Sequence, residues 1–303
     1  MNILFCLNIG DFNSIFKEKS DHKKNYDFFV ILFGLNSEKN TDSKCINFFE
    51  LIQNHNFTNF NYNLSLQTQK RLNYFGLDML NNMNNKNHKL VSLFLNKDLI
   101  LKNLTEHEFN YLIFSNQLRR YNLDQVFNYY NFQNEEKVNL FIPAGGIGID
   151  FFYFYNLHKN IEFVLNDKKI EFLNIARKML NFSTKVRFDN KMLLDFEFNE
   201  KFNVIFISHF LCLMERSLRR SFLIKCIKNL KKNGLLIIQE ITRKTINEYS
   251  DKDILDNEEI LNFPYQDKWN IFESEKTVDY EKNDPLKIKD TEDYKNKFIV
   301  FYD

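Results

Sequence analysis

Glycine is scarce in this chain, and the scarcity makes one short stretch decisive. Three of its seven glycines, Gly145, Gly146 and Gly148, follow directly on the apolar run Val138-Asn139-Leu140-Phe141-Ile142. The run, then Pro143-Ala144-Gly145-Gly146-Ile147-Gly148, then an aromatic-rich segment at 149–157, reads as a buried strand, a tight turn and a short helix. Glycines at such a turn accept φ > 0 and, lacking Cβ, let another group approach the backbone. The helix start beyond them offers N–H groups to a carboxylate or phosphate. On the glycines alone, a tight turn that holds no ligand stays an open alternative.

From that turn onward the pattern alternates. Strands are expected at 161–165, 185–188, 204–208 and 235–239, and amphipathic helices at 168–180 and 215–230. The second of these helices is expected to stop at Gly234. Short apolar strands alternating with helices predict a parallel sheet covered on both faces. Segments 267–280 and 297–302 look extended, and the charged stretch between them is a poor crossover helix, so they are expected to pair antiparallel. The fold class is therefore α/β, a Rossmann-like, mostly parallel sheet closed by an antiparallel pair. Residues 1–130 lack the alternation. There, 26–33 reads as a strand or a buried helix, and 46–53, 67–80, 106–119 and 123–130 as helices. The junction falls at 131–136, giving a mainly helical N-terminal domain, 1–130, and a ligand-binding domain, 131–303.

Composition removes several classes of function. In 303 residues, 41 Lys+Arg balance 40 Asp+Glu, leaving no general field for nucleic acid or an anionic membrane. No run is long enough to span a bilayer, and the apolar start lacks a basic flank and a cleavage site, so a cytoplasmic protein is expected. Cys6, Cys45, Cys212 and Cys226 have neither CxxC spacing nor His neighbours, and are read as reduced thiols with no metal site. The basic pairs Arg119-Arg120, Arg219-Arg220 and Lys231-Lys232 have acids interspersed and read as solvated helix faces.

The strand at 161–165 ends in Asn166-Asp167, about twenty residues past the glycines, where an acid accepts hydrogen bonds from the two hydroxyls of an adenosine ribose. An Asp there also serves as an ordinary helix N-cap; the glycine turn at this spacing favours the ligand. A dinucleotide fingerprint would put its third glycine on Phe151, whose ring would stand between helix and strand, which disfavours NAD.

With these residues in hand, the chain from about 109 to 241 resembles the class I S-adenosylmethionine-dependent methyltransferases. Residues 138–148 are similar to the first motif of that family. Leu230-Lys231-Lys232-Asn233-Gly234-Leu235-Leu236-Ile237-Ile238-Gln239-Glu240 is similar to its helix end and fifth strand. The resemblance implies a seven-stranded sheet and S-adenosyl-L-methionine as cofactor. The cofactor would be held by Ala144, Gly145, Gly146, Gly148, Asp167 and Lys168, with Met192, Leu193 and Ser208 beside it. Phe127-Asn128-Tyr129-Tyr130-Asn131-Phe132 and the spacing of 202–240 look more narrowly like the small-molecule O-methyltransferases of hydroxyindoles, caffeate and antibiotic phenols. That likeness implies a small aromatic acceptor and a winged-helix N-terminal domain, with 45–75 as recognition helix and wing, through which the chain would form a homodimer.

The pattern is broken in three places. Ile142 stands where the first motif commonly opens with an acid, and Met192 where an acid follows the third strand; Asp189 and Asn190 are the nearby substitutes, otherwise a solvated loop. Cys212 stands where the O-methyltransferases carry their catalytic His. His209, one turn earlier, is the best local base for removing an acceptor proton, with Cys212 second and Glu215 and Glu240 as helpers. The acceptor atom stays open among O, N, C and S. Methylation of RNA or protein, and a non-catalytic dimer partner of the same fold, stand as the alternatives.

Overall fold

The computed structural model describes residues 2–6, 25–31, 44–54, 61–64, 96–105, 121–130, 137–151, 154, 160–180, 185–241, 259–260, 262–273 and 296–302. The chain divides into two compact units, Met1–Tyr121 with Asp279–Lys289, and Asn122–Val278 with Asp290–Asp303.

The first unit contains β1 (Asn2–Cys6), β2 (Phe28–Ile31), β3 (Cys45–Asn47), α1 (Phe48–Asn54), β4 (Asn61–Leu64) and α2 (Lys97–Asn103). Its strands form a four-stranded sheet in the order β3-β2-β1-β4, and every pairing is parallel. Leu4, Cys6 and Phe29 are buried together, with Tyr26 and Cys45 packed against them. Among the described residues this parallel sheet corrects the winged-helix expectation. The segment expected to form a wing, Tyr62-Asn63-Leu64, lies in β4 and runs parallel to β1, whereas a wing is an antiparallel hairpin. Parallel strands this short carry no polar alternation to distinguish them from helix. The expected dimer rested on the winged-helix likeness and loses that support. The helix expected at 46–53 is α1 from Phe48 on, its first two residues lying in β3, and of the two readings of 26–33 the strand holds, as β2. Those at 67–80 and 106–119 lie outside the described residues, as does the junction at 131–136.

The second unit holds the alternating part: α3 (Tyr121–Tyr129), β5 (Val138–Ile142), β6 (Ile161–Asn166), α4 (Ile170–Met179), β7 (Val186–Asp189), β8 (Phe202–Ser208), α5 (Arg216–Lys228), β9 (Leu230–Ile241), β10 (Trp269–Glu273) and β11 (Asn296–Tyr302). They form a seven-stranded sheet in the order β10-β11-β9-β8-β5-β6-β7. Strands β5 to β9 are parallel, and β11 lies antiparallel between β9 and β10, as the closing pair was expected to do. Strands β5, β6 and β8 are buried along nearly their whole length, the mark of a sheet covered on both faces. One packed layer joins Phe141 of β5, stacked on Phe196 at 4.7 Å, to Leu193, Ile205, Ile207, Phe222 and Leu236. In α5 the buried residues Arg219, Phe222, Leu223, Cys226 and Ile227 fall on one helical stripe.

The stop of α5 is not Gly234. The helix ends at Lys228, where the Asn229 side-chain amide donates to the Lys225 carbonyl at 2.7 Å. Gly234 lies inside β9, where the register against β8 jumps between Phe202 and Val204. A Cβ at Gly234 would stand 2.8 Å from the Lys231 carbonyl oxygen and 3.1 Å from that of Phe202, so the glycine permits close backbone approach at a bulge. The residue that turns the chain there is Asn233, at φ 61°.

Candidate functional site

Strand order in the second unit reverses at β5: β6 and β7 lie to one side, β8 and β9 to the other. In open α/β sheets ligands bind outside the carboxyl ends of the strands at such a reversal. The glycine turn leaves β5 there, Asp167 leaves β6, and Ser208-His209 leaves β8.

The turn is built by three residues with positive φ, Ala144 at 49°, Gly146 at 58° and Gly148 at 76°. Its own N–H groups are engaged. Gly145 donates to the Asn166 carbonyl at 3.0 Å, Gly146 to Asp167 Oδ2 at 2.9 Å, and Gly148 to the Gly145 carbonyl at 3.0 Å. The glycine turn is therefore a bend locked to β6, and the donors expected at the helix start lie beyond it. A Cβ on Gly145 would stand 2.3 Å from Leu165 Cδ1 and 2.8 Å from Ile142 Cγ2, which is why that position takes no side chain. Phe151 is buried against Phe163 of β6 at 5.0 Å, filling the gap between helix and strand with rings. That helix starts at Ile149; apart from Phe154, the rest of the expected 149–157 lies outside the described residues.

Asp167 is buried and clips two elements together. Oδ2 accepts from Gly146 and Oδ1 accepts from the Lys169 N–H at 2.8 Å. Burial raises its pKa above the ordinary carboxylate value, opposed by the backbone hydrogen bonds from Lys169 and Gly146 and by the Lys169 and Lys168 charges. An ionised carboxylate has about four lone-pair positions, so two acceptor positions remain for hydroxyl donors. That is the acceptor set a ribose diol requires, and the residues fit an adenosine-bearing cofactor.

The other expected contacts divide. The Lys168 side chain is exposed, and its carbonyl accepts from Asn190 Nδ2 at 3.0 Å. Met192 is 53% exposed and free to lie against a ligand, whereas Leu193 belongs to the core layer with Phe141 and Phe196. Asn190 is not a loose loop residue: its amide also donates to the Asp167 carbonyl at 2.9 Å. Asp189 Oδ1 accepts from the Lys191 N–H at 2.8 Å.

On the β8 side, Ser208 Oγ is buried with no hydrogen-bond partner among the described residues. His209 is buried and takes φ 49°, its N–H donating to the Gln239 carbonyl at 2.9 Å. Cys212 is the middle residue of a short 3-10 turn, Leu211–Leu213. That turn is held at both ends by buried polar side chains. Glu240 Oε1 accepts from the Leu211 N–H at 2.7 Å, and Arg219 Nε donates to the Met214 carbonyl at 3.0 Å. Arg219 is 2% exposed and pairs with Glu259 at 2.9 Å, which corrects its reading as part of a solvated face. Its place on the apolar stripe of α5 was the sequence signal for that burial. Glu215, the helper on the helix side, is exposed at the start of α5.

Among the described residues no three His, Cys, Asp or Glu side chains gather as a metal site, and no helix is long and apolar enough to cross a membrane.

No family profile matches this sequence, and no curated protein matches it. Solved structures do share its course of chain. The N-methyltransferase NodS from Bradyrhizobium japonicum WM9, in complex with S-adenosyl-l-homocysteine, is 11% identical, with 68% of this chain and 97% of that chain covered at a TM-score of 0.47. Coclaurine N-methyltransferase bound to N-methylheliamine and SAH is 12% identical over 62% of this chain and 73% of that chain, with a TM-score of 0.47. A S-adenosylmethionine-dependent methyltransferase from Clostridium acetobutylicum ATCC 824 is 13% identical over 64% and 96%, at 0.46. At such identities and scores, the chain's own geometry has to carry any reading of function.

Proposed function

We propose that this chain transfers the methyl group of S-adenosyl-L-methionine to a small aromatic acceptor, with O-methylation favoured and N- or C-methylation open to the same geometry. One observation carries the reading. The hydrogen bond from Gly146 N–H to Asp167 Oδ2 ties the glycine bend to the carboxylate at the carboxyl ends of β5 and β6, beside the reversal of the sheet. Ala144, Gly145, Gly146 and Gly148 form the bend that would hold the methionyl part, Asp167 would accept from the ribose hydroxyls, and Lys168 and exposed Met192 would border the adenine, with Leu193 packed in the core behind them. When bound, the cofactor supplies an electrophilic methyl on a sulfonium.

Ser208 and His209 stand at the end of β8, on the other side of the reversal. There His209 takes the acceptor proton as general base, and Cys212 stands in the short turn that follows. Holding acceptor and methyl in line supplies about 7–11 kcal/mol of the barrier reduction without any further chemistry. Methylation of RNA is disfavoured by the balance of 41 Lys+Arg against 40 Asp+Glu, which leaves no general field for a polyanion.

The test has two stages. Calorimetric titration with S-adenosylhomocysteine is expected to give stoichiometric binding; no binding removes the proposal. Methyl-labelled S-adenosylmethionine is then incubated with a panel of phenols, catechols and amines. In His209→Gln, label transfer is expected to fall by about 10²–10⁴-fold while S-adenosylhomocysteine affinity holds. Transfer at the wild-type rate in that variant would remove His209 as the base.

A further inference from the structure

Two asparagine side chains cross between the turns that follow β6 and β7. Asn166, 1% exposed, sends its Nδ2 from the end of β6 to the carbonyls of Asp189 at 3.3 Å and Lys191 at 3.0 Å. Asn190 sends its Nδ2 the other way, to the carbonyls of Asp167 at 2.9 Å and Lys168 at 3.0 Å. The Asp167 N–H adds a backbone bond to the Asp189 carbonyl at 3.1 Å. Each amide therefore applies both of its N–H donors to the opposite turn. One turn carries Asp167, and the other carries Met192.

We propose that Asn166 and Asn190 are positioning residues: a reciprocal amide clasp that sets the spacing between the ribose-binding carboxylate and the turn that carries Met192. The proposal rests on the reading of function above. Its physical basis is that the clasp acts on backbone carbonyls on both sides, so it fixes the course of the two turns whatever side chains they present. Asn166 closes it from the buried side, by the body of the sheet, and exposed Asn190 from the solvent side. With Asp167 already bonded to Gly146, the glycine bend, the carboxylate and the 190–193 turn become one rigid rim across β5, β6 and β7.

The test uses Asn190, because it is exposed and its replacement leaves the core intact. Full-length wild type, Asn190→Ala and Asn190→Asp are titrated with S-adenosylhomocysteine by calorimetry across acidic to neutral pH, and each unliganded protein is melted in parallel. Asn190→Ala is expected to bind about tenfold more weakly, the equivalent of about 1.4 kcal/mol, with its unliganded melting close to wild type. Asn190→Asp is expected to bind more weakly still, because a carboxylate cannot donate to the two carbonyls. It also adds negative charge beside Asp167, in a setting that otherwise contains Lys168 and Lys169 on one turn and Asp189 and Lys191 on the other. The loss of affinity toward low pH should therefore begin at a higher pH in that variant. Wild-type affinity and an unmoved pH profile in both variants overturn the clasp. So does a loss of affinity matched by an equal loss of unliganded stability, which would make the asparagines merely structural. If wild type does not bind S-adenosylhomocysteine, the functional reading falls and the clasp falls with it.

Discussion

Replacing Asp167 by Asn separates the structural task of this carboxylate from its binding task. The two oxygens accept from two different elements, Gly146 at 2.9 Å and Lys169 at 2.8 Å. An amide has one oxygen, so whichever way it turns, its NH2 faces one of those N–H donors. One hydrogen bond to a charged acceptor is lost, worth about 1.5–3 kcal/mol, and a buried donor is left unpaired. Against this stands the relief of no longer burying a charge, whose direction is given by the raised pKa of Asp167. The net expectation is about 1–2 kcal/mol less stability, which at about 2–4 °C per kcal/mol is a drop of roughly 2–8 °C in Tm. Binding should suffer more. Charge-assisted bonds are roughly twice as strong as neutral ones, so two ribose hydroxyls lose about 2 kcal/mol between them, or about 30-fold in Kd for S-adenosylhomocysteine. Thermal melting reads the first figure and calorimetry the second. A lower Tm with wild-type affinity would show a carboxylate that serves only as a clip, and would refute its assignment to the ribose. A variant unchanged in both would refute the geometry itself.

Three further perturbations have defined outcomes. Gly148→Ala places a Cβ at φ 76°, 3.1 Å from both Leu165 Cδ2 and Leu180 Cδ1, and should lose about 1–3 kcal/mol in chemical denaturation; a wild-type midpoint would refute the strained turn. Arg219→Met takes the guanidinium from the Met214 carbonyl and leaves Glu259 still paired with exposed Arg216 at 3.5 Å, a loss of about 1–3 kcal/mol, and adding Glu259→Met should recover part of it. Additive losses in the double variant would argue against the buried pair. Because burial raises the Asp167 pKa, the folded chain holds that proton at pH values where the unfolded chain has released it. This group therefore withdraws stability as pH rises from the ordinary carboxylate value through the raised one. Wild type should gain stability relative to Asp167→Asn on acidification through that window, and parallel Tm curves would refute the shift.

Much of the second unit is legible in the sequence because its strands are long enough, and buried enough, to stand out as apolar runs against charged helices. The glycine bend is legible for a different reason: in a chain so poor in glycine, three within four positions mark a backbone that must turn where side chains cannot fit. The first unit has neither signal. Its strands of three to five residues, separated by long connections, pair in parallel by long-range contacts that no local window contains. The misreading of Gly234 follows from the same limit. A glycine after a helix is the usual stop, but whether the chain ends a helix there or bulges against Phe202 depends on a strand thirty residues away.

Polar residues show the limit most clearly. Arg219 looks solvated beside Arg220, yet its spacing to Phe222, Leu223 and Cys226 puts it on the buried stripe, so the helical period outweighs residue type. Asn166 and Asn190 carried no such mark, because this chain is rich in asparagine and a bonded amide reads like any other. What separates them from the rest is the sheet: β6 and β7 run in parallel, Asn166 stands opposite Asp189, and the turns beyond them are brought within reach of a short amide. The chemistry of the rim therefore follows from strand register. Slip β7 by one residue against β6, and Asp167 would keep its bond to Gly146 while the clasp that holds the adenine side would be gone.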